Sequence, residues 1–342
     1  MKGSSLRVVV SGMVAGTPGH GGASWAVLQY VLGLRRMGHD VLLVEPVPCV
    51  DAPGSGEDPP DRQVVEYFRE LVERFSLRGR AALVHEGQRD SVGMPFAGVL
   101  EFCRGADLLL NLSGFLKEPE LLEGIRRRVY VDLDPAFTQL WQEVEGIDMG
   151  FSGHHDFLTV GLSLGRRGCP VPTCGITWLP TLPPVVLDEW QPVSSLRSST
   201  FTTVANWRGY GSVEHDGVHY GQKAHAMRKL LPLPHRSRAD FELALAIDPG
   251  EAADLQALRA HGWRLADPGE AAGTPDRYAR FVKGSFAEFG VAKTGYVHSR
   301  CGWFSDRSAC YLAAGRPVLA QETGFERHLP VGEGLLSFRD VD

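Results

Sequence analysis

The side chains of this sequence that can do chemistry gather in a few short stretches. The first is Gly16–Gly22, GTPGHGG, between an apolar run and an amphipathic one. A glycine loop joining a strand to a helix brings backbone N–H groups to the helix N-terminus, where anions are favoured. Gly19, Gly21 and Gly22 do not supply the G-x-G-x-x-G spacing of a dinucleotide loop. They serve equally well as positions that need positive φ. His20 stands apart from them. It is a polar ring in a loop at the carboxyl end of a strand, where ligands of open α/β sheets bind. Glu45 ends the next strand, the place of a ribose-binding acid, though a lone acid there is weak evidence.

The second stretch is Gly302–Ala320, GWFSDRSACYLAAGRPVLA. Ser305 is placed to cap a helix, and Asp306 in the first turn suits its dipole. Arg307 and Ser308 lie at the same end. Hydroxyls, free N–H groups and a guanidinium together suit a diphosphate; the plainer reading is an ordinary capped helix. Gln321 and Glu322 follow directly and offer an amide and a carboxylate to sugar hydroxyls. Arg208, in WRGYG, and Lys223 can neutralise a phosphate, or simply belong to a surface loop. Asp132 and Asp134 flank the end of a strand. They can orient His20, bind an acceptor or hold a metal, but a single D-x-D is common. The pair His154-His155 is not read as a metal site, because neighbours on a strand point to opposite faces.

Hydrophobic periodicity places these groups on elements. RVVVS (7–11) reads as a buried strand, and 24–37 as a helix with Ser24 at its start and Gly38 at its stop. DVLLVE (40–45) is a second strand, which completes a β-loop-α-β unit. Further strands are expected at 81–84, 107–112, 128–133 and 157–160, with helices at 61–75, 96–103 and 118–126. Residues 51–60 read as a turn-rich loop. Six prolines between 170 and 192 exclude regular helix and mark an extended connector. The rhythm then repeats, with strands at 201–204, 241–247, 288–292 and 317–320 and helices at 225–231, 251–261, 275–282 and 305–314. The expected organisation is therefore an α/β half over 1–168, a connector over 169–199 and a second α/β half over 200–342.

Length and composition narrow the function classes. The chain has 342 residues and a net charge of −6, so no basic surplus points to nucleic acid. The N-terminal apolar run is too short for a signal peptide. No stretch approaches the roughly 18 apolar residues of a membrane span. A soluble, cytoplasmic protein is expected. None of the six cysteines forms a C-x-x-C pair. All of them, Cys169 and Cys174 included, read as free thiols.

Two α/β halves, GGASW…LGLRRMGHDVLLV near the start and LAAGRPVLAQETGF near the end, resemble a nucleotide-sugar-dependent glycosyltransferase of the GT-B fold. The resemblance implies two Rossmann-like doubly wound domains facing a cleft. The nucleotide diphosphate sugar would bind mainly to the second, and a small-molecule or glycan acceptor to the first. Ser305, Asp306, Arg307 and Ser308 would meet the diphosphate, and Gln321 and Glu322 the sugar. His20 would be the general base of an inverting transfer, assisted by Asp132 or Asp134. Retaining members often carry two glutamates eight residues apart; those positions hold Gly302 and Cys310 here. Glu288 can supply a carboxylate from the preceding strand instead. No cofactor and no metal is implied. The alternatives are a glycosyltransferase-like binding or assembly protein without catalysis, and a nucleotide-sugar epimerase or phosphorylase of the same fold. A Rossmann dehydrogenase is disfavoured by the glycine spacing.

Overall fold

The computed structural model describes residues 5–48, 60–194 and 199–340. Cys49 and the turn-rich loop of 51–59 lie outside the described residues. The chain divides into two compact units. One is Met1–Leu133 with Met149–Leu158, and the other is Asp134–Asp148 with Thr159–Asp342. The proline-rich stretch from 169 thus falls within the second unit.

The first unit is built on strands β1 (Arg7–Ser11), β2 (Asp40–Val47), β3 (Ala81–His85), β4 (Ser91–Gly93), β5 (Leu108–Leu112), β6 (Arg127–Asp132) and β7 (Asp156–Thr159). Their order is β4-β3-β2-β1-β5-β6-β7. β1 pairs in parallel with both β2 and β5, and β4 pairs antiparallel with β3. Near-continuous Val and Leu runs in β1, β2 and β5 are what a sheet covered on both faces requires. Val9, Leu42 and Leu109 are fully buried beneath the helix Phe96–Arg104. The helix Gly21–Arg36 covers the opposite side of the β1–β2 crossover and ends in basic residues that suit its dipole.

In the second unit a short strand, β8 (Trp178–Pro180), precedes β9 (Phe201–Asn206). A hairpin follows, β10 (Val213–His215) and β11 (Val218–Tyr220). The remaining strands are β12 (Phe241–Ala246), β13 (Arg264–Ala266), β14 (Ala287–Gly290), β15 (Val318–Gln321) and β16 (Leu335–Phe338). The main sheet runs β13-β12-β9-β14-β15-β16, parallel throughout. Phe241 packs its ring 5.2 Å from both Trp263 and Phe289. Burial of each such side chain contributes about 1.5–3 kcal/mol.

Several local expectations change. Ser24 does not cap the first long helix, which begins three residues earlier at Gly21 with His20 at the cap position. Ser24 is instead inside the helix and donates from Oγ to the Val14 carbonyl at 2.7 Å. The helix expected over 118–126 is one turn, Pro119–Leu122. The proline-rich stretch holds β8 and a 3₁₀ turn at Leu187–Trp190, with Trp190 fully buried. Cys169 and Cys174 are free thiols, as the sequence indicates.

Gly302 is fixed by sterics. Its φ is +80°, and a Cβ there would stand 2.8 Å from the Ser163 amide nitrogen. Gly302→Ala is expected to destabilise the second unit by about 2 kcal/mol or more. The midpoint of urea unfolding measures it, and an unshifted midpoint would show that the backbone yields at no cost.

Candidate functional site

Strand order reverses between β9 and β14: from β9 the chain builds outward through β12 and β13, and from β14 through β15 and β16. Ligands of open α/β sheets bind at the carboxyl ends of the strands flanking such a reversal. Charged side chains gather at this place. Arg307, in the first turn of the helix Asp306–Ala313, donates from Nε to Glu288 Oε1 at 2.5 Å. Its Nη1 donates to the Val204 carbonyl at 3.0 Å. Glu288 lies on β14 and Val204 on β9, so the guanidinium ties the two strands together. Burial works against its charge, but Glu288 beside it more than offsets this and the pKa is raised. Glu288 is fully buried, and its second oxygen has no hydrogen-bond partner.

Lys223 opens the helix Lys223–Leu230 and is buried. Its ammonium donates to the Val291 carbonyl, one residue beyond β14. Among the described residues it forms no ion pair. Burial holds its pKa well below that of an ordinary lysine; Arg307 and Lys293 lower it further, and Glu288 offsets part of the effect.

Lys293 is the third cation. Its ammonium lies 3.8 Å from the ring centre of Tyr210 and 5.2 Å from those of Phe137 and Tyr296. Such contacts contribute roughly 0.5–2 kcal/mol each. Asp134 answers its charge at 3.2 Å and also accepts from the hydroxyls of Tyr210 and Tyr296. Burial lowers the Lys293 pKa, and Asp134 raises it again. Glu288 thus answers Arg307 and Asp134 answers Lys293, whereas Lys223 forms no ion pair among the described residues.

Beside Arg307 is a small hollow with room for about one water, lined by Gly290, Ala292, Trp303, Ser305, Ser308 and Gln321. Ser305 caps the helix at its floor, accepting from the Arg307 amide at 3.2 Å. Asp306 is in the first turn, and burial raises its pKa. Gln321 Oε1 accepts from the Ala292 amide at 3.2 Å. Glu322 turns away and accepts from Ser337 at 3.2 Å and from Arg339 at 2.6 Å. Arg208 pairs with Glu251. Cys310 is buried, and the space beside Gly302 is too tight for any side chain.

In the first unit the reversal falls at β1, between β2 and β5. The glycine loop lies there. His20 is exposed, with Nδ1 3.2 Å from the Pro18 carbonyl. Gly19 has a φ of +83°, while Gly21 and Gly22 are the first two helical residues. Asp132 is fully buried at the end of β6. It belongs to the first unit and Asp134 to the second. Glu45 is buried and accepts from the amides of Ala15 at 2.8 Å and Gly16 at 2.7 Å. It holds the loop itself, and both its oxygens are engaged by protein. His154 packs against Tyr130 and meets Asn111 at 3.1 Å, while His155 accepts from the Arg128 amide.

No family model matches this sequence, and no curated protein matches it. Solved structures do. An α-glucosyltransferase in complex with UDP and a 13-mer DNA with a central A:G mismatch aligns over 97% of this chain and 81% of its own, at 12% identity and a TM-score of 0.54. An α-glucosyltransferase in complex with UDP-glucose and DNA containing an abasic site aligns over 97% and 82%, at 12% identity and a TM-score of 0.54. This chain has a GT-B fold. At such identity the likeness is one of fold.

Sequence reasoning did not single out Lys293, Tyr210 or Tyr296. The rule that drew attention to Gln321, a polar residue directly after a strand, applies equally to Lys293 after β14. Nothing local to Asp134 announces that its partners stand 76 to 162 positions away.

Lys223 generates a stability prediction. A lysine whose folded pKa is depressed binds fewer protons folded than unfolded, from that lowered value up to the unfolded value near 10.5. Stability should therefore rise with pH across that window. Lys223→Met should remove this slope and be at least as stable as the wild type at pH 7. Urea unfolding between pH 6 and pH 10 measures both; an identical pH dependence in the variant would contradict it.

Proposed function

We propose that this protein transfers a sugar from a nucleotide diphosphate sugar to a hydroxyl or amine of a small-molecule or glycan acceptor. The buried amino group of Lys223 at the carboxyl ends of β9 and β14, which forms no ion pair among the described residues, carries this reading. A buried cation without a counter-charge is costly. A diphosphate set against Lys223 and Arg307 would supply the missing charge, with charge-assisted hydrogen bonds from both. The GT-B fold, shared with proteins solved with UDP and UDP-glucose, supports the same assignment.

As the glycosidic bond to the diphosphate breaks, negative charge grows on the leaving oxygen. Lys223, Arg307 and the N-terminus of the helix Asp306–Ala313 are pre-arranged to stabilise it without reorganisation. Ser305, Ser308 and Gln321 line the small hollow beside Arg307 and are assigned polar contacts to the donor there. Glu288 holds Arg307 in place. His20, an exposed imidazole on the loop after β1, is assigned the removal of the acceptor proton. Asp132 is assigned to assist it, while Asp134 is engaged by Lys293 and two tyrosines. Arg208 and Glu322 are left to their own ion pairs.

The DNA in the neighbouring structures belongs to those proteins. With a net charge of −6, this chain lacks the basic surplus of a DNA-binding surface. We assign no nucleic acid to it.

The test is turnover of a panel of nucleotide sugars, followed by release of the nucleoside diphosphate. Arg307→Ala and His20→Ala should each lower kcat about a hundredfold. A full-rate His20→Ala enzyme would remove His20 from the mechanism. Absence of turnover, together with absence of nucleoside diphosphate binding, would overturn the proposal. Duplex DNA added at low salt should neither accept sugar nor bind.

A further inference from the structure

The mechanism leaves one buried acid unused. Glu45, near the end of β2, is about 1% exposed and forms no ion pair among the described residues, yet both its oxygens are occupied. They accept the consecutive amides of Ala15 and Gly16. Just upstream, the Val14 carbonyl accepts from Ser24 Oγ at 2.7 Å, and that hydroxyl meets the Tyr67 hydroxyl at 3.1 Å. Three successive residues of the glycine loop are thus tied down from below by Glu45 of β2 and Ser24 of the following helix. Downstream, the His20 carbonyl accepts from the amides of Ala23 and Ser24 at 2.9 and 3.2 Å. The exposed turn of Thr17, Pro18 and Gly19 hangs between these two anchors, with His20 at its end.

We propose that Glu45 is a positioning residue: its carboxylate clamps the Ala15 and Gly16 amides and so fixes the loop that carries His20. Only an ionised carboxylate presents two full acceptors to two N–H donors. An amide or a protonated acid at the same place turns a donor toward one of them. Contacts to charged groups are also about twice as strong as neutral ones. The acid that the sequence suggested for a ribose is thereby spent on its own loop.

The clamp is sensitive to pH. Burial pushes the Glu45 pKa up to about 7, against the lowering effect of the amides of Ala15, Gly16 and Val14. Tyr67, whose pKa burial raises, is the neighbouring titratable group, with Glu70 beyond it. Neither brings positive charge to Glu45. A raised carboxyl pKa means that the folded state binds more protons than the unfolded one between about 4.5 and 7. Across that window overall stability falls as pH rises, while the clamp closes. The two trends run in opposite directions, which separates a positioning role from a stabilising one.

The clamp's link to catalysis rests on the assignment of His20, but its existence is tested without turnover. Amide hydrogen exchange over residues 12–20 of the full chain is the measurement. Ala15 and Gly16 should gain protection, beyond intrinsic exchange, as pH passes about 7. In Glu45→Gln that gain should vanish, with exchange at pH 8 about tenfold faster. In Gly16→Ala, whose Cβ would stand 3.0 Å from Glu45 Oε1, exchange should also quicken while the buried acid stays in place. This second variant decides the matter if Glu45→Gln fails to fold. Unchanged protection in the folded variants would overturn the clamp. With turnover established, Glu45→Gln should lower kcat and leave the donor KM within about twofold. A rise in donor KM alone would overturn the positioning role. Absence of any turnover would instead count against the transferase reading and leave the exchange result standing.

Discussion

A buried lysine that forms no ion pair among the described residues governs the second unit: burial disfavours its charged form and holds its pKa well below the ordinary value. The chain spends its carboxylates on two of three cations. Asp134 answers Lys293, inside a ring of Phe137, Tyr210 and Tyr296. Glu288 answers Arg307 across β9 and β14. Lys223 has only a backbone carbonyl. An unanswered buried charge costs several kcal/mol, which is why burial depresses the Lys223 pKa; an arriving anion would favour the charged form. The paired cations are held rigid and the open one supplies the attraction, which is how a preorganised anion site is built.

The same topological rule locates the chemistry in both units. Each sheet reverses its strand order beside its first strand, and each reversal carries a polar segment at the carboxyl ends. In the second unit the segment is a set of cations on helix starts and strand exits. In the first it is a glycine loop with an exposed imidazole, anchored by a buried acid. The contrast in charge fits a division of labour: an anionic donor answered by fixed positive groups, and an acceptor met by a group able to take a proton.

Much of this architecture is legible in the sequence. Val and Leu runs of three or four residues, alternating with amphipathic stretches, mark parallel strands and crossover helices because a sheet covered on both faces needs them. The Ser305 cap is visible for a local reason, a hydroxyl one residue before a helix start. The hairpin β10–β11 is not among the expected strands, although its Asp216-Gly217 turn is a hairpin signal. The start of the first long helix is misplaced by three residues. Ser24 is a good cap by type, but tertiary structure employs its hydroxyl on Val14. Glu45 and Asp134 are also misjudged from local context alone. Their partners are a loop 30 residues away and rings more than 70 residues away. A carboxylate's type tells what it can do, and only the fold tells whether its oxygens are already taken.

The central claim is that Lys223 awaits an anion, and proton counting tests it most directly. Calorimetric titration of UDP at one pH, in buffers of different ionisation enthalpy, reports protons taken up on binding. A diphosphate against Lys223 must raise the depressed pKa of the ammonium, so the wild type should bind with net proton uptake and with affinity that falls as pH rises. Lys223→Met should bind more weakly and lose the Lys223 share of that uptake. Binding with identical proton uptake in both proteins, or UDP affinity unaffected by the substitution, would contradict the account.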